Sequence, residues 1–237
     1  MNGNSMHWVN RLAAFGLVVG LVAGLAAAGS AQSVGGQAYA TYVNTPLGYS
    51  GQSPVAVLPA VSGTDGAMAD AEGSALNVAG ALSSDFLNSI TSGEIGTAET
   101  GAQSTASAAS VNILNGLITA DEVVANVVSS ASQGGAFSNA DGSTFTNLAI
   151  AGVGSLAGDQ PVAPNTNISL PGVGYVVLNE QIPSGDGVSS SGLTVNMIHV
   201  YLQSVIGGVC TPLGCLPGTV TKTGEIIVGS ASSTVAM

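Results

Sequence analysis

Residues Ser110–Ser132, SVNILNGLITADEVVANVVSSAS, constrain the fold more than any other stretch of the chain. Two periods compete in it. Thr119-Ala120-Asp121-Glu122 has the form of a helix capping box, and Leu117, Asp121, Val124 and Val128 fall at helical spacing. Against a helix stand five valines, a Ser-rich end and the lack of Leu, Lys or Arg after Glu122. β-Branched residues suit a pleated surface better than a helix, so the stretch is expected to be strand. Neither alternating face is cleanly polar, which places this strand between layers. An earlier segment, Leu76–Asp85, echoes it: Asn77 matches Asn112, Gly80 matches Gly116 and Asp85 matches Asp121, 35 or 36 positions apart.

The remaining segments read the same way. Gln37–Val57 alternates and carries tyrosines, with prolines at 46, 54 and 59 as punctuation. Val61–Ala71 reads as loop, and Thr91–Ser107 as either a strand pair or a loop. Asn139–Ser143 is a turn before a strand at Thr144–Ala151; Gly152–Pro164 reads as loop. Asn167–Leu170 and Tyr175–Gln181 flank a Pro171-Gly172 turn as a hairpin. Ser184–Gly192 reads as loop. Leu193–Gln203 is the clearest strand, and a turn at Lys222–Gly224 precedes a closing strand at Glu225–Ser230. Many short strands with Gly/Pro turns predict an all-β, antiparallel, two-layer β-sandwich. No linker divides residues 32–237, so one β-rich domain is expected.

Arg11, the apolar run Leu12–Ala28 and the small residues Gly29-Ser30-Ala31 form a secretory signal pattern, residues 1–31, whose apolar part would be helical. A retained anchor is the competing reading, because the run reaches the lower length limit for a span. Cleavage after Ala31 leaves residues 32–237. The 13 acidic residues then face the single Lys222, a net charge of −12. With no Arg and one Lys, nucleic acid is excluded as a partner, and so is electrostatic binding to anionic lipid. No membrane partner is expected after cleavage. Charged residues make up only 6% of the chain, so its polar surface must be Ser, Thr, Asn and backbone, as in exported β proteins.

A family resemblance emerges in the second half. Pro164–Asn167, Leu170–Gly174, Val177–Gln181, Leu193–Val200 and Gly224–Ala231 follow the Leu117–Asp121 block in a fixed order. That order resembles the choice-of-anchor P family of bacterial exported proteins, from about Ala38 to Ser232. The resemblance implies a secreted or cell-surface domain of unestablished activity, in a family joined to various C-terminal sorting signals. It brings no catalytic residues. No apolar tail or basic cluster separates the last strand from Met237, and Leu216-Pro217-Gly218-Thr219-Val220 departs from a sortase motif at Val220, so release is expected over anchoring.

Few residues invite chemistry. Cys210 and Cys215, with four residues between them in a turn-rich loop, are expected to form a disulfide in an exported chain. His199 is the sole histidine after residue 31. It reads as a hydrogen-bonded structural residue on one face with Val195, Met197 and Tyr201. One histidine makes no usual zinc site, and no G-x-S-x-G elbow is present. Asp141-Gly142 and Asp186-Gly187 are turn signals first. Asn139 and Asp141 resemble only part of a calcium loop. Gly152–Gly158 misses the dinucleotide-binding spacing, and Asn167-Ile168-Ser169 is a glycosylation sequon. No catalytic residue, metal site or cofactor is expected. The reading is a non-enzymatic, secreted or cell-surface structural or adhesive protein, its partners being envelope or matrix components. A ligand-binding module for glycan or calcium is the alternative, and a secreted hydrolase the third.

Overall fold

The computed structural model describes residues 32–61, 64–211, 214–216 and 218–237, with backbone alone for 209–211 and 214–216. The expected signal segment, residues 1–31, lies outside the described residues. Among the described residues every regular element is a strand, and no helix is long and apolar enough to cross a membrane.

The chain builds two open antiparallel sheets from different parts of its length. Its flanks make a six-stranded sheet: β1 (Ser33–Thr45) and β2 (Gly48–Val57) from the first flank, β12 (Thr166–Leu170), β13 (Gly174–Gly185), β14 (Ser190–Ile206) and β17 (Thr219–Ala236) from the second, in the order β12-β13-β14-β17-β1-β2. Its middle makes a nine-stranded sheet of β3 (Ala67–Gly73), β4 (Leu76–Val78), β5 (Leu82–Ser84), β6 (Phe86–Ile95), β7 (Glu99–Ile113), β8 (Ile118–Ser132), β9 (Gly135–Asn139), β10 (Thr144–Ile150) and β11 (Gly154–Gln160). A small hairpin, β15 (Val209–Thr211) with β16 (Gly214–Leu216), interrupts the second flank. The sheets pack face to face over one main core that draws on both, so the expected antiparallel sandwich is the observed fold.

Ser110–Ser132 is strand, as its valines require, but it is the end of one strand, a turn and the whole of the next. The capping-box residues lie in β8. The echo with Leu76–Asp85 has a structural basis. Val78–Ala81 and Leu114–Leu117 are equivalent turns, each closed by a backbone hydrogen bond from its fourth residue to its first, with a positive-φ glycine third, Gly80 and Gly116. Ile150–Val153 and Leu170–Val173 repeat the device with Gly152 and Gly172. Successive turns are tied together, Leu114 N–H to Ala81 O and Ala151 N–H to Leu117 O, both at 2.9 Å.

Five to seven residues beyond each turn glycine the strand kinks. Strict alternation puts even-numbered residues Ala106 and Ala108 of β7 in the core, yet Val111 and Ile113 follow them there. Ser110, between them, has φ 53°. β8 reverses at Asp121, and β10 reverses at Asn147, φ 52°. The three residues face one another across the sheet, and Asn147 Nδ2 donates to Asp121 Oδ2 at 2.6 Å. The six-stranded sheet has a matching row: Asn179 (φ 49°), Met197 and Gly229 (φ 67°). Such bulge-like residues increase local twist and reverse which side chains face inward.

The rows also divide the core. On the turn side it holds Leu82, Ile113, Ile118, Ile198 and Ile226, all fully buried. Beyond the rows Phe145, Val123, Val127 and Val195 continue the core, and small residues such as Ala106, Ala125, Ala231, Ser104 and Ser129 join them. There Ser129 reaches across to Ser233 at 2.6 Å and to Ser138 at 2.8 Å, while Thr91 meets Ser104 at 2.9 Å. Two serines bonded between sheets require backbones closer than the usual ~10 Å layer spacing. Gly36 permits this approach, since a Cβ there would strike Thr91 and Ser104.

Several expected loops are strands. Val61–Ala71 contains most of β3 and the Gly152–Pro164 segment contains β11, while Thr91–Ser107, read as a strand pair or a loop, is the strand pair and belongs to β6 and β7. Gly-, Ser- and Ala-rich composition gives these strands little local propensity, and it is pairing with neighbouring strands that makes them. The expected turn at Lys222–Gly224 is instead a bulge inside the continuous β17: Leu202 faces Gly224, Gln203 faces Lys222, and Thr223 is the extra residue.

Candidate functional site

The outer face of the six-stranded sheet brings tyrosines together with His199, Glu180, Glu225 and Lys222. All five tyrosines belong to its strands: Tyr39 and Tyr42 on β1, Tyr49 on β2, Tyr175 on β13 and Tyr201 on β14. Ala38, Ala40, Val43, Val176, Val200 and Leu202 fill the core, so their neighbours Tyr39, Tyr42, Tyr175 and Tyr201 point outward. Tyr175 and Tyr201 stack with ring centroids 4.6 Å apart, and Tyr42 meets Tyr49 edge-on at 6.5 Å.

His199 lies at the centre of this face. The expectation that it shares a face with Val195 and Met197 is corrected here. Those two residues are in the core, as are Ile198 and Val200, because β14 reverses its facing between Met197 and Ile198. His199 and Tyr201 therefore point outward together, with rings 3.9 Å apart. Its reading as a hydrogen-bonded residue matches the geometry. Nδ1 lies 2.7 Å from Glu180 Oε2 on β13, and Nε2 lies 3.3 Å from Glu225 Oε2 on β17. Both ring nitrogens thus face carboxylate oxygens, one from each neighbouring strand.

Glu180 is also held by Asn196 Nδ2 at 2.8 Å and by the Tyr201 hydroxyl, which donates to Oε1 at 2.8 Å. Burial pushes its carboxyl up, but the hydrogen bonds from His199, Asn196 and Tyr201 together outweigh that and hold it at about 2. Burial likewise raises Glu225, and Lys222 and His199 more than offset it, so its carboxyl falls below the ordinary value. Burial, followed by the hydrogen bond to Glu180, pushes the Tyr201 phenol up. Lys222 Nζ donates to Glu225 Oε2 at 2.6 Å and lies 5.3 Å from the Tyr201 ring centroid. The row Glu180–His199–Glu225–Lys222 thus laces three adjacent strands. Within the row Glu180 is ionised and both its oxygens are engaged.

The remaining candidates are dispersed. The β15–β16 register sets the Cα atoms of Cys210 and Cys215 opposite each other; their side chains lie outside the described residues. Asp141 N–H donates to Asn139 Oδ1 at 3.1 Å, a turn contact. Among the described residues no three His, Cys, Asp or Glu side chains gather as a metal-ligand set. Asp186 caps the β13–β14 turn by accepting from the N–H groups of Val188, Ser189 and Ser190. The Ser189 hydroxyl and these N–H groups hold its carboxyl well below the usual carboxylate range. A groove of about 650 Å³ opens along the β13 edge, lined by both polar and apolar residues, among them Asn139, Asp141, Asn165, Gln181, Val162 and Leu193.

Sequence reasoning missed Glu180 and Glu225. Their convergence depends on cross-strand register, and the available signals were Asn179 and Gly229, residues that interrupt otherwise β-branched strands. Fold and face together define an open antiparallel β-sandwich with one tyrosine-rich, ion-paired outer face. Comparisons with protein-family models, with curated proteins and with solved structures found no match.

Proposed function

We propose that this chain is a non-enzymatic, exported structural or adhesive protein, and that the outer face of its six-stranded sheet is where it meets envelope or matrix components. The observation that carries the reading is the concentration of all five tyrosines on the strands of that sheet. Tyrosine offers large amphipathic contact area at little rotamer cost. The ion-paired row beside the rings is satisfied internally, which suits a preformed surface more than a catalytic centre. The signal pattern of residues 1–31, the scarcity of charge and the resemblance to choice-of-anchor P proteins support export. Facing Cys210 and Cys215 support a disulfide that staples the β15–β16 hairpin.

Fractionation of the native culture with intact-mass measurement tests export. The expected product is found outside the cell, begins at Gln32 and weighs two mass units less than its reduced form. A membrane-held chain retaining residues 1–31 would overturn release. Loss of adhesion to isolated envelope material in a Tyr175→Ala/Tyr201→Ala chain tests the contact face, and unchanged adhesion would remove it.

A second reading, a glycan-binding module, is favoured by the groove along β13, whose lining includes the side-chain amides of Asn139, Asn165 and Gln181, a group suited to sugar hydroxyls. A rise in melting temperature with a neutral oligosaccharide panel would support it.

A further inference from the structure

We propose that the Tyr201–Glu225 corner of this face recognises a primary ammonium group, the side chain of a lysine-bearing peptide segment, and that Lys222 occupies it as an intramolecular stand-in. The inference rests on the reading of this face as a contact surface and names the chemistry of its ligand.

The corner already shows what it holds. Lys222 Nζ sits 2.6 Å from Glu225 Oε2 and 5.3 Å from the centroid of Tyr201. A carboxylate at one side and an aromatic face at the other is the arrangement that recognises a compact cation. The carboxylate is positioned before any ligand arrives, because His199 holds the same Oε2 at 3.3 Å. Glu225 Oε1 accepts no hydrogen bond among the described residues, so lone pairs remain for an incoming N–H. Glu180, by contrast, is closed: three donors engage both its oxygens. Glu225 is therefore the acceptor open to a partner.

The occupant is also loosely seated. The Lys222 side chain is 52% exposed, and it stands next to the Thr223 bulge, where β17 turns out of register with β14. A half-exposed ion pair of this kind is weak, so a partner can displace it at small cost. Charge favours such a partner. The chain carries 13 acidic residues against two basic ones, a field that attracts cationic segments and repels acidic ones. Lys222 is the chain's only lysine, so no other lysine of the same molecule competes for the corner.

Fluorescence anisotropy of labelled decalysine, titrated with the full chain at physiological salt, tests the proposal. Lys222→Ala vacates the corner and should tighten binding about tenfold. The same change in net charge made on the opposite sheet face, Gln103→Glu, should tighten it less than about twofold through long-range attraction alone. Adding Glu225→Gln to Lys222→Ala should abolish the gain. Equal tightening by Lys222→Ala and Gln103→Glu would overturn the site, and this comparison stands even if the Glu225 variant fails to fold. Absence of decalysine binding in a chain that still adheres to envelope material through Tyr175 and Tyr201 would overturn the ammonium site and leave the contact face intact.

Discussion

Glu180 is the residue on which the outer face depends. Its side chain is 15% exposed and accepts from His199, Asn196 and Tyr201, so its charge is supported by three donors of the neighbouring strand β14. A carboxyl held at about 2 in the fold, against an ordinary value near 4.5, stabilises the folded chain at every pH above the ordinary value. That contribution is lost as pH falls from about 4.5 toward 2, because protonation then favours the unfolded chain. Glu180→Gln removes the charge and leaves His199 with one carboxylate in place of two. At pH 7 it should cost about 2–3 kcal/mol, in the range for a hydrogen-bonded, mostly buried charge. The difference in melting temperature between the wild-type chain and the Gln variant should shrink steadily below pH 4.5. A gap that persists unchanged at pH 2–3 would show that packing, and not the charge, was lost.

At the scale of elements the kink rows decide which side chains meet. Most strands were legible in the sequence, because β-branched residues, tyrosines and Gly/Pro turns mark them locally. The rows were not, because a reading by strict alternation has no place for a reversal within a strand. This is why His199 was assigned the company of Val195 and Met197, and why Glu180 and Glu225 went unnoticed. The same local reasoning found two copies of the turn glycine and the kink that follows it, Gly80 with Asp85 and Gly116 with Asp121. It finds the Pro171-Gly172 turn but does not connect Gly152 and Gly172 with the repeat, because their strands carry Gly158 and Asn179 where the first two copies carry aspartate. Gly229 tests the importance of the kink. Its φ of 67° disfavours any side chain, and a Cβ there would lie 3.0 Å from Val123 Cγ1 on the other sheet. Gly152 has φ 77° with nothing within 4 Å, so Gly152→Ala measures the backbone cost alone, about 1 kcal/mol. Gly229→Ala should cost more, about 2–3 kcal/mol with the clash included. Equal losses in denaturant unfolding would mean that the two rows are not pressed together.

The whole molecule joins a locally built sheet to one assembled from distant segments. Residues 67–160 form the nine-stranded sheet largely by successive hairpins, whereas the six-stranded sheet pairs the first strand with the last. Ser232 Oγ donates to Gln37 O at 3.2 Å across 195 positions of sequence. A sheet closed so late has a high contact order, so refolding belongs in the millisecond-to-second range or slower. The sheets nevertheless have one main core. Val123, Ile118 and Phe145 from the middle of the chain pack in the same cluster as Met197, Ile226 and Val228 from its end, and Ser129 bonds directly to Ser233. Neither sheet can lose its partner without exposing that core. The distribution of tyrosines makes this testable. In the chain from Gln32 onward no tryptophan remains, so intrinsic fluorescence comes from tyrosines on strands of the six-stranded sheet, whereas far-ultraviolet circular dichroism reports both sheets. One cooperative unit requires the two signals to change at the same denaturant concentration. A tyrosine transition that precedes the dichroism change would mean that the central block survives when the flanks detach, and the shared core would then be too weak to couple them.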